Sequence, residues 1–108
     1  YIGVASNFIV PMKIIKKKFE NQNQNQIFIS SGSSGNLYSQ IVNGAPLDIF
    51  LSGDQALPKK LENSPKGIKG TRFTYAIGKL QLFTTNKNLF NKKFPDILNS
   101  KNIKYIGM

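Results

Sequence analysis

The apolar positions of this chain change period several times, and each change marks an element. Tyr1-Ile2-Gly3-Val4-Ala5 is a short apolar run of the kind that forms a buried strand. From Phe8 the spacing becomes helical: Phe8, Met12, Ile15 and Phe19 recur at steps of four, three and four, which places them on one helix face. Lys13, Lys16, Lys17 and Lys18 fall mainly off that face and are expected to stay solvated. Pro11 lies near the first turn, where a missing N–H costs least. The Asn/Gln run over residues 21–26 reads as a surface connection. Residues 27–29 read as a second strand, residues 30–35 as a Ser/Gly loop, and Leu37, Tyr38, Ile41 and Val42 as a second helix, closed by Asn43-Gly44-Ala45-Pro46. Residues 48–51 read as a third strand. A third helix carries Leu57 and Leu61, with Asp54 as its N-cap.

Beyond this point the pattern weakens. Residues 65–70 form a Pro/Gly/Lys loop. Residues 73–77 and 79–84 look extended, residues 86–93 irregular and residues 94–98 briefly helical, and residues 101–108 end in a strand-like run. Strands alternating with helices in the first half imply βαβ units. The expected fold class is α/β, with a mainly parallel sheet and helices on both faces, because right-handed crossovers place successive helices over the sheet.

Composition narrows the chemistry. The chain has 108 residues, with 40% hydrophobic positions, enough for one core. No apolar run approaches the roughly 20 residues of a membrane helix, so direct membrane insertion is not expected. Tyr1 opens almost inside a strand-like run with no secretory leader ahead of it. Either the protein is cytoplasmic, or a leader was removed before this numbering begins. Cys and His are both absent, which removes thiolate chemistry, disulfides and the commonest general base and metal ligand. The five carboxylates, Glu20, Asp48, Asp54, Glu62 and Asp96, are scattered. No cofactor, no directly bound metal and no enzymatic activity are expected. The net charge of +10 suits encounter with small anions or nucleic acid. It also suits an AT-rich coding sequence, in which Lys, Asn and Ile all rise together.

Two junctions share one design. Ala5-Ser6-Asn7-Phe8 joins the first strand to the first helix, and Ser33-Ser34-Gly35-Asn36 joins the second strand to the second helix. Both place hydroxyl or amide side chains at a helix N-terminus, on the carboxyl edge of a parallel sheet, where open α/β sheets bind ligands. Helix N-termini offer unsatisfied N–H groups and the positive end of the helix dipole. Hydrogen bonds to a charged group contribute roughly 1.5–3 kcal/mol each, so a handful reaches the ~8 kcal/mol of micromolar binding. Helix capping accounts for one Ser or Asn of this kind equally well. Ser31, Ser33 and Ser34 together exceed what a cap needs. No Gly-Lys-Ser/Thr follows the glycines, so the loop is not a Walker motif.

At these residues the chain resembles the periplasmic molybdate-binding protein family of ABC transporters. The resemblance runs through Val4-Ala5-Ser6-Asn7-Phe8 with Pro11-Met12, Ser31-Gly32-Ser33-Ser34-Gly35-Asn36-Leu37-Tyr38, Gln40-Ile41, Asn43-Gly44-Ala45-Pro46, Asp48-Ile49-Phe50-Leu51, Asp54-Gln55, and Thr71-Arg72-Phe73-Thr74-Tyr75-Ala76-Ile77-Gly78-Lys79-Leu80. It implies a type II periplasmic-binding-protein-like lobe. Residues 1–84 would be the first lobe of a two-lobed solute-binding protein, and residues 85–108 a connection and hinge strand toward a second lobe that the chain does not reach. Carried over residue by residue, the oxyanion contacts fall on Asn7, on Ser6 beside it, on Ser34 and, less firmly matched, on Ser33.

The implied ligand is molybdate or tungstate, the implied partner an ABC transporter permease, and the implied location periplasmic or extracytoplasmic. Arg72 is expected as a surface ion-pair partner, and Phe73 and Tyr75 as packing residues. An exposed sheet edge would invite a non-native dimer. Two readings compete: the same scaffold holding sulfate or phosphate, and a basic nucleic-acid-binding module, which would need an aromatic-lined basic groove.

Overall fold

The computed structural model describes residues 1–79, 81–89, 93, 95–99, 101, 103 and 105. The chain divides into two compact units, Tyr1–Tyr75 and Ala76–Met108.

In the first unit, strand β1 (Ile2–Ala5) is central and pairs in parallel with β2 (Ile29–Gly32) on one edge and β3 (Ile49–Leu51) on the other. The register sets Ala5 opposite Gly32 and Val4 opposite Leu51, so the carboxyl ends of all three strands finish side by side. Helix α1 (Ile9–Gln22) connects β1 to β2, helix α2 (Ser34–Val42) connects β2 to β3, and α3 (Ala56–Glu62) follows β3. This is the α/β lobe that strand–helix alternation predicts.

The two faces of β1 explain how both helices fit. Side chains alternate along a strand, so Ile2 and Val4 point one way and meet Met12 of α1. Gly3 points the other way. A β-carbon there would lie 2.8 Å from Leu47 Cδ1, which would have to shift, and 3.5 Å, ordinary contact distance, from Leu37 Cδ2 of α2, so the layer closes tightly over the glycine. Val4 and Leu37 are the largest fully buried side chains, one on each face.

Helix α2 ends in a Schellman arrangement. The Ala45 N–H donates to Gln40 O at 2.9 Å and the Gly44 N–H to Ile41 O at 3.0 Å, with Gly44 at φ +95°. The N-cap position of α3 is Gln55, one residue later than expected, but Asp54 Oδ1 still accepts from the Leu57 N–H of the first turn at 3.0 Å.

Several elements differ from the sequence reading. The first helix opens with a 3₁₀ turn at Ser6–Phe8, and the α-helix proper starts at Ile9. Strand β2 lies later than the apolar triplet 27–29, because its limits follow the pairing of Ile29 with Ile2 and Gly32 with Ala5 rather than hydrophobicity. Ser30 and Ser31 thus belong to an edge strand and are exposed. On α1 only Met12 is buried. Ile15 (47% exposed) and Phe19 (39%) overhang a sheet of three strands and line an open apolar cavity with Ile2, Ile27 and Ile49.

Lys16 is not a free solvated lysine. It pairs with Glu20 at 3.1 Å and donates to the Ile27 carbonyl, while Glu20 Oε1 accepts from the Ile27 N–H at 2.7 Å. The Asn/Gln connection is thereby closed at its base. Residues 73–77 and 79–84, read as extended, join no strand among the described residues, since extended backbone becomes a ladder only with a partner. Phe73 is 77% exposed instead of packed. Arg72 forms the expected ion pair, its Nε 3.0 Å from Glu62 Oε2.

In the second unit the described elements are 3₁₀ turns at Lys87–Leu89 and Asp96–Asn99, with Leu89 and Ile97 buried. The latter turn is the short helical stretch expected over residues 94–98, as far as those residues are described, and is 3₁₀ in form. Leu80, Phe94 and much of the terminal strand-like run, residues 101–108, lie outside the described residues.

Two predictions follow from this packing. Leu37→Ala removes a fully buried side chain and should cost about 2–5 kcal/mol in a denaturant titration. Ile68→Ala, at a position 75% exposed, should stay within about 0.5 kcal/mol of wild type.

The carboxyl of Glu20 is held below its usual value by the Ile27 N–H and then by Lys16. That of Glu62 is lowered by Arg72 and then by the Gly70 N–H. The folded chain therefore binds fewer protons at these sites than the unfolded chain. Their contribution is complete above the ordinary carboxylate value of 4.5 and is lost as pH falls through the lowered folded values. Thermal midpoints should drop on acidification below that value, and Glu62→Gln should show a smaller drop than wild type.

Candidate functional site

The three strand ends of the first unit each run into a loop, and the three loops meet. After β1 the chain turns at once into the 3₁₀ turn Ser6–Phe8, which carries Ser6 and Asn7, both exposed. A helical first turn leaves its leading N–H groups without intrahelical acceptors, and the Ser6 and Asn7 amides stand in that turn. Among the described residues neither the Ser6 hydroxyl nor the Asn7 side-chain amide has a hydrogen-bond partner.

After β2, Ser33 is the N-cap of α2. Its Oγ accepts from the Asn36 N–H at 3.2 Å, and its carbonyl accepts from Leu37 at 3.0 Å. The first of these bonds occupies one of the four leading N–H groups of the helix, the second is the first intrahelical bond, and the N–H groups of Ser34 and Gly35 have no intrahelical acceptor. Ser33 therefore does capping work. Ser34, one residue further on, is half-buried and projects toward the third loop.

After β3, Gly53 closes the arrangement. Its N–H donates to Ser34 Oγ at 2.9 Å. A β-carbon on Gly53 would stand 3.5 Å from Ser34 Oγ and 3.6 Å from both Asn7 Nδ2 and Asn7 Oδ1. Asn7 and Ser34, drawn from separate loops, thus reach within 3.6 Å of one point. The structure brings these two predicted residues together, with Ser6 adjacent in the chain and Ser33 set back in its cap.

The bond from Gly53 also settles the polarity of Ser34. A serine hydroxyl has one hydrogen and two acceptor sites. Because Ser34 Oγ accepts from Gly53, and no acceptor for its own hydrogen occurs among the described residues, that hydrogen is free to donate outward. The side-chain groups that converge are then uncharged: the Ser34 hydroxyl and the Asn7 carboxamide, beside the N-terminus of α2. Asp54, the nearest carboxylate in sequence, is turned away from them, its oxygens occupied by Ser52 Oγ at 3.3 Å and the Leu57 N–H at 3.0 Å. Among the described residues no group of His, Cys, Asp and Glu could hold a metal ion. No described helix is long and apolar enough to cross a membrane.

Gly53 was not among the residues singled out from the sequence. The available signal was that Ser52-Gly53-Asp54 occupies the same strand-to-helix junction as the other two loops.

Known proteins resemble this chain in sequence and in fold. A 46% identical stretch of 83 residues relates the chain to the Azotobacter vinelandii protein named molybdate-binding protein ModA, covering 77% of this chain and 33% of that protein. A Rhodobacter capsulatus protein of the same name is 40% identical over 84 residues, covering 78% and 33% respectively. The solved structure of the Azotobacter vinelandii periplasmic molybdate-binding protein matches with a TM-score of 0.56 at 44% sequence identity, over 57% of this chain and 27% of that one. The chain therefore spans about a third of the length of the curated relatives it matches. The family described as bacterial extracellular solute-binding protein matches residues 1–106. By that match over nearly its whole length, the chain belongs to the bacterial extracellular solute-binding protein family.

Proposed function

We propose that this chain carries the first-lobe half of an oxyanion site for molybdate or tungstate, in a non-catalytic periplasmic binding protein that delivers its ligand to an ABC transporter permease. The observation that carries the reading is the convergence of Asn7 and Ser34 within 3.6 Å of one point beside Gly53, with Ser34's hydrogen free to donate. The names of the two curated relatives point to the same ligand.

The physical logic is that of a dianion held by dipoles. Each N–H or O–H aimed at the ligand replaces a water hydrogen bond, and the two helical N-termini add the positive ends of their dipoles. Neutral donors need no titratable partner, so binding should vary little with pH while the anion stays fully deprotonated. A protonated phosphate would need an acceptor, and the carboxylate of Asp54 is already occupied. Molybdate and tungstate are larger than sulfate, and the separation of the donors selects by size. Residues 1–84 act as the first lobe in this reading, and residues 85–108 lead toward a second lobe. The second lobe would close over the anion, and the transporter would recognise the closed form.

Titration of the isotopically labelled chain with molybdate, tungstate, sulfate and phosphate, followed by amide resonances, tests the proposal. Molybdate and tungstate should shift the amides of Ser6, Asn7, Ser34 and Gly35 and saturate at lower concentration than sulfate. Ser34→Ala and Asn7→Ala should each weaken binding by about ten- to a hundredfold, the equivalent of one hydrogen bond to a charged group. Sulfate saturating as early as molybdate would contradict the ligand assignment. Shifts confined to lysine-rich segments would contradict the site.

A further inference from the structure

Tyr75 is the last residue of the first unit and takes no part in the site described above. Its hydroxyl donates to the Ser52 carbonyl at 2.8 Å, across 23 residues of chain. Its ring meets Phe8 edge-on, with centroids 4.8 Å apart and planes at 64°. Phe8 is the third residue of the 3₁₀ turn that bears Ser6 and Asn7. Tyr75 thus touches two of the three loops. Burial pushes its phenol pKa up, so the group keeps its proton at neutral pH and donates.

The Ser52 carbonyl and the Gly53 N–H belong to one peptide plane. In a trans peptide they point in opposite directions, so a bond that fixes the oxygen also aims the N–H. Here the oxygen is held by Tyr75 and the N–H is held by Ser34 Oγ at 2.9 Å. The donors run one way: Tyr75 O–H to Ser52 O, Gly53 N–H to Ser34 Oγ, and the Ser34 hydrogen outward. Hydrogen bonds aligned in this sense polarise one another, so each strengthens the next donor. Ser52 is buried, and its bond from Tyr75 is partly buried.

We propose that Tyr75 is a positioning residue of the oxyanion site, acting through the Ser52–Gly53 peptide plane to hold the Ser34 hydroxyl in its donating orientation. The proposal rests on the oxyanion reading. It adds that the residue at the exit of the first unit is wired to the ligand contact.

Tyr75→Phe in the full chain is the direct test, because it keeps the ring against Phe8 and removes only the hydroxyl. In the ligand-free chain the Gly53 amide resonance should move and its hydrogen exchange should accelerate. Molybdate binding, read by the same resonances, should weaken about three- to tenfold, the size expected for one neutral hydrogen bond. In a Ser34→Ala background the same change should cause no further loss of affinity, because the residue it acts through is gone.

Equal losses in both backgrounds would overturn the proposal and leave Tyr75 a packing residue. An unmoved Gly53 amide would also overturn it. If Tyr75→Phe does not fold, the wild-type chain decides: Gly53 exchange at the rate of an exposed loop amide contradicts the relay, and protection lost in Ser34→Ala supports it. Failure of the wild type to bind molybdate at all removes the oxyanion reading and this proposal with it. That result is distinct from a wild type that binds and a Tyr75→Phe chain that binds equally well.

Discussion

Parallel pairing of β1 along both its edges is the constraint from which the site follows. With β2 and β3 both parallel to β1, three carboxyl ends finish on one edge of the sheet, and three loops must leave from there. Because β1 is central, its loop lies between the other two, and connections from the two sides part company there. Gly3 suits the close layer on that face of β1, since a β-carbon there would meet the Leu47 side chain at 2.8 Å and make it shift.

What the loops bring to that edge is polar and uncharged. The chain carries a net charge of +10, yet the side-chain groups that converge are a hydroxyl and a carboxamide. Long-range charge and short-range contact have separate roles in the proposed function. A basic surface raises the encounter rate with anions and is screened by salt. Fixed dipoles select by geometry and do not depend on a flexible ammonium finding its place. Lys16, expected to stay solvated on the helix face, is tied to Glu20 and to the Ile27 carbonyl and braces a connection instead.

Much of this was legible in the chain. Strand–helix alternation and the position of Ser6-Asn7 and Ser33-Ser34 at strand-to-helix junctions depend on local pattern, and local pattern is what a sequence displays. Asp54 and Gly44 could be placed for the same reason, since capping and positive φ are properties of a few neighbouring residues. The limits of β2 were misjudged because register with β1, and not apolar content, decides where an edge strand begins. Ser33 and Ser34 could not be told apart by composition; which one caps and which one projects depends on where the helix starts. Gly53 and Tyr75 were missed because their contributions reside in a peptide plane and in a contact between residues far apart in the chain. The overhang of Ile15 and Phe19 was hidden because helical periodicity reports a face and not the width of the sheet beneath it.

The central claim is that an oxyanion sits among the three loop ends and is held by neutral donors. Anomalous diffraction from crystals of the chain soaked in tungstate tests it most directly, because the heavy atom locates itself. The account predicts one dominant peak within hydrogen-bonding reach, through the oxyanion oxygens, of Ser34 Oγ and the Asn7 side chain, beside Gly53. A dominant peak among lysine side chains, with the space beside Gly53 empty at the same tungstate concentration, would contradict it.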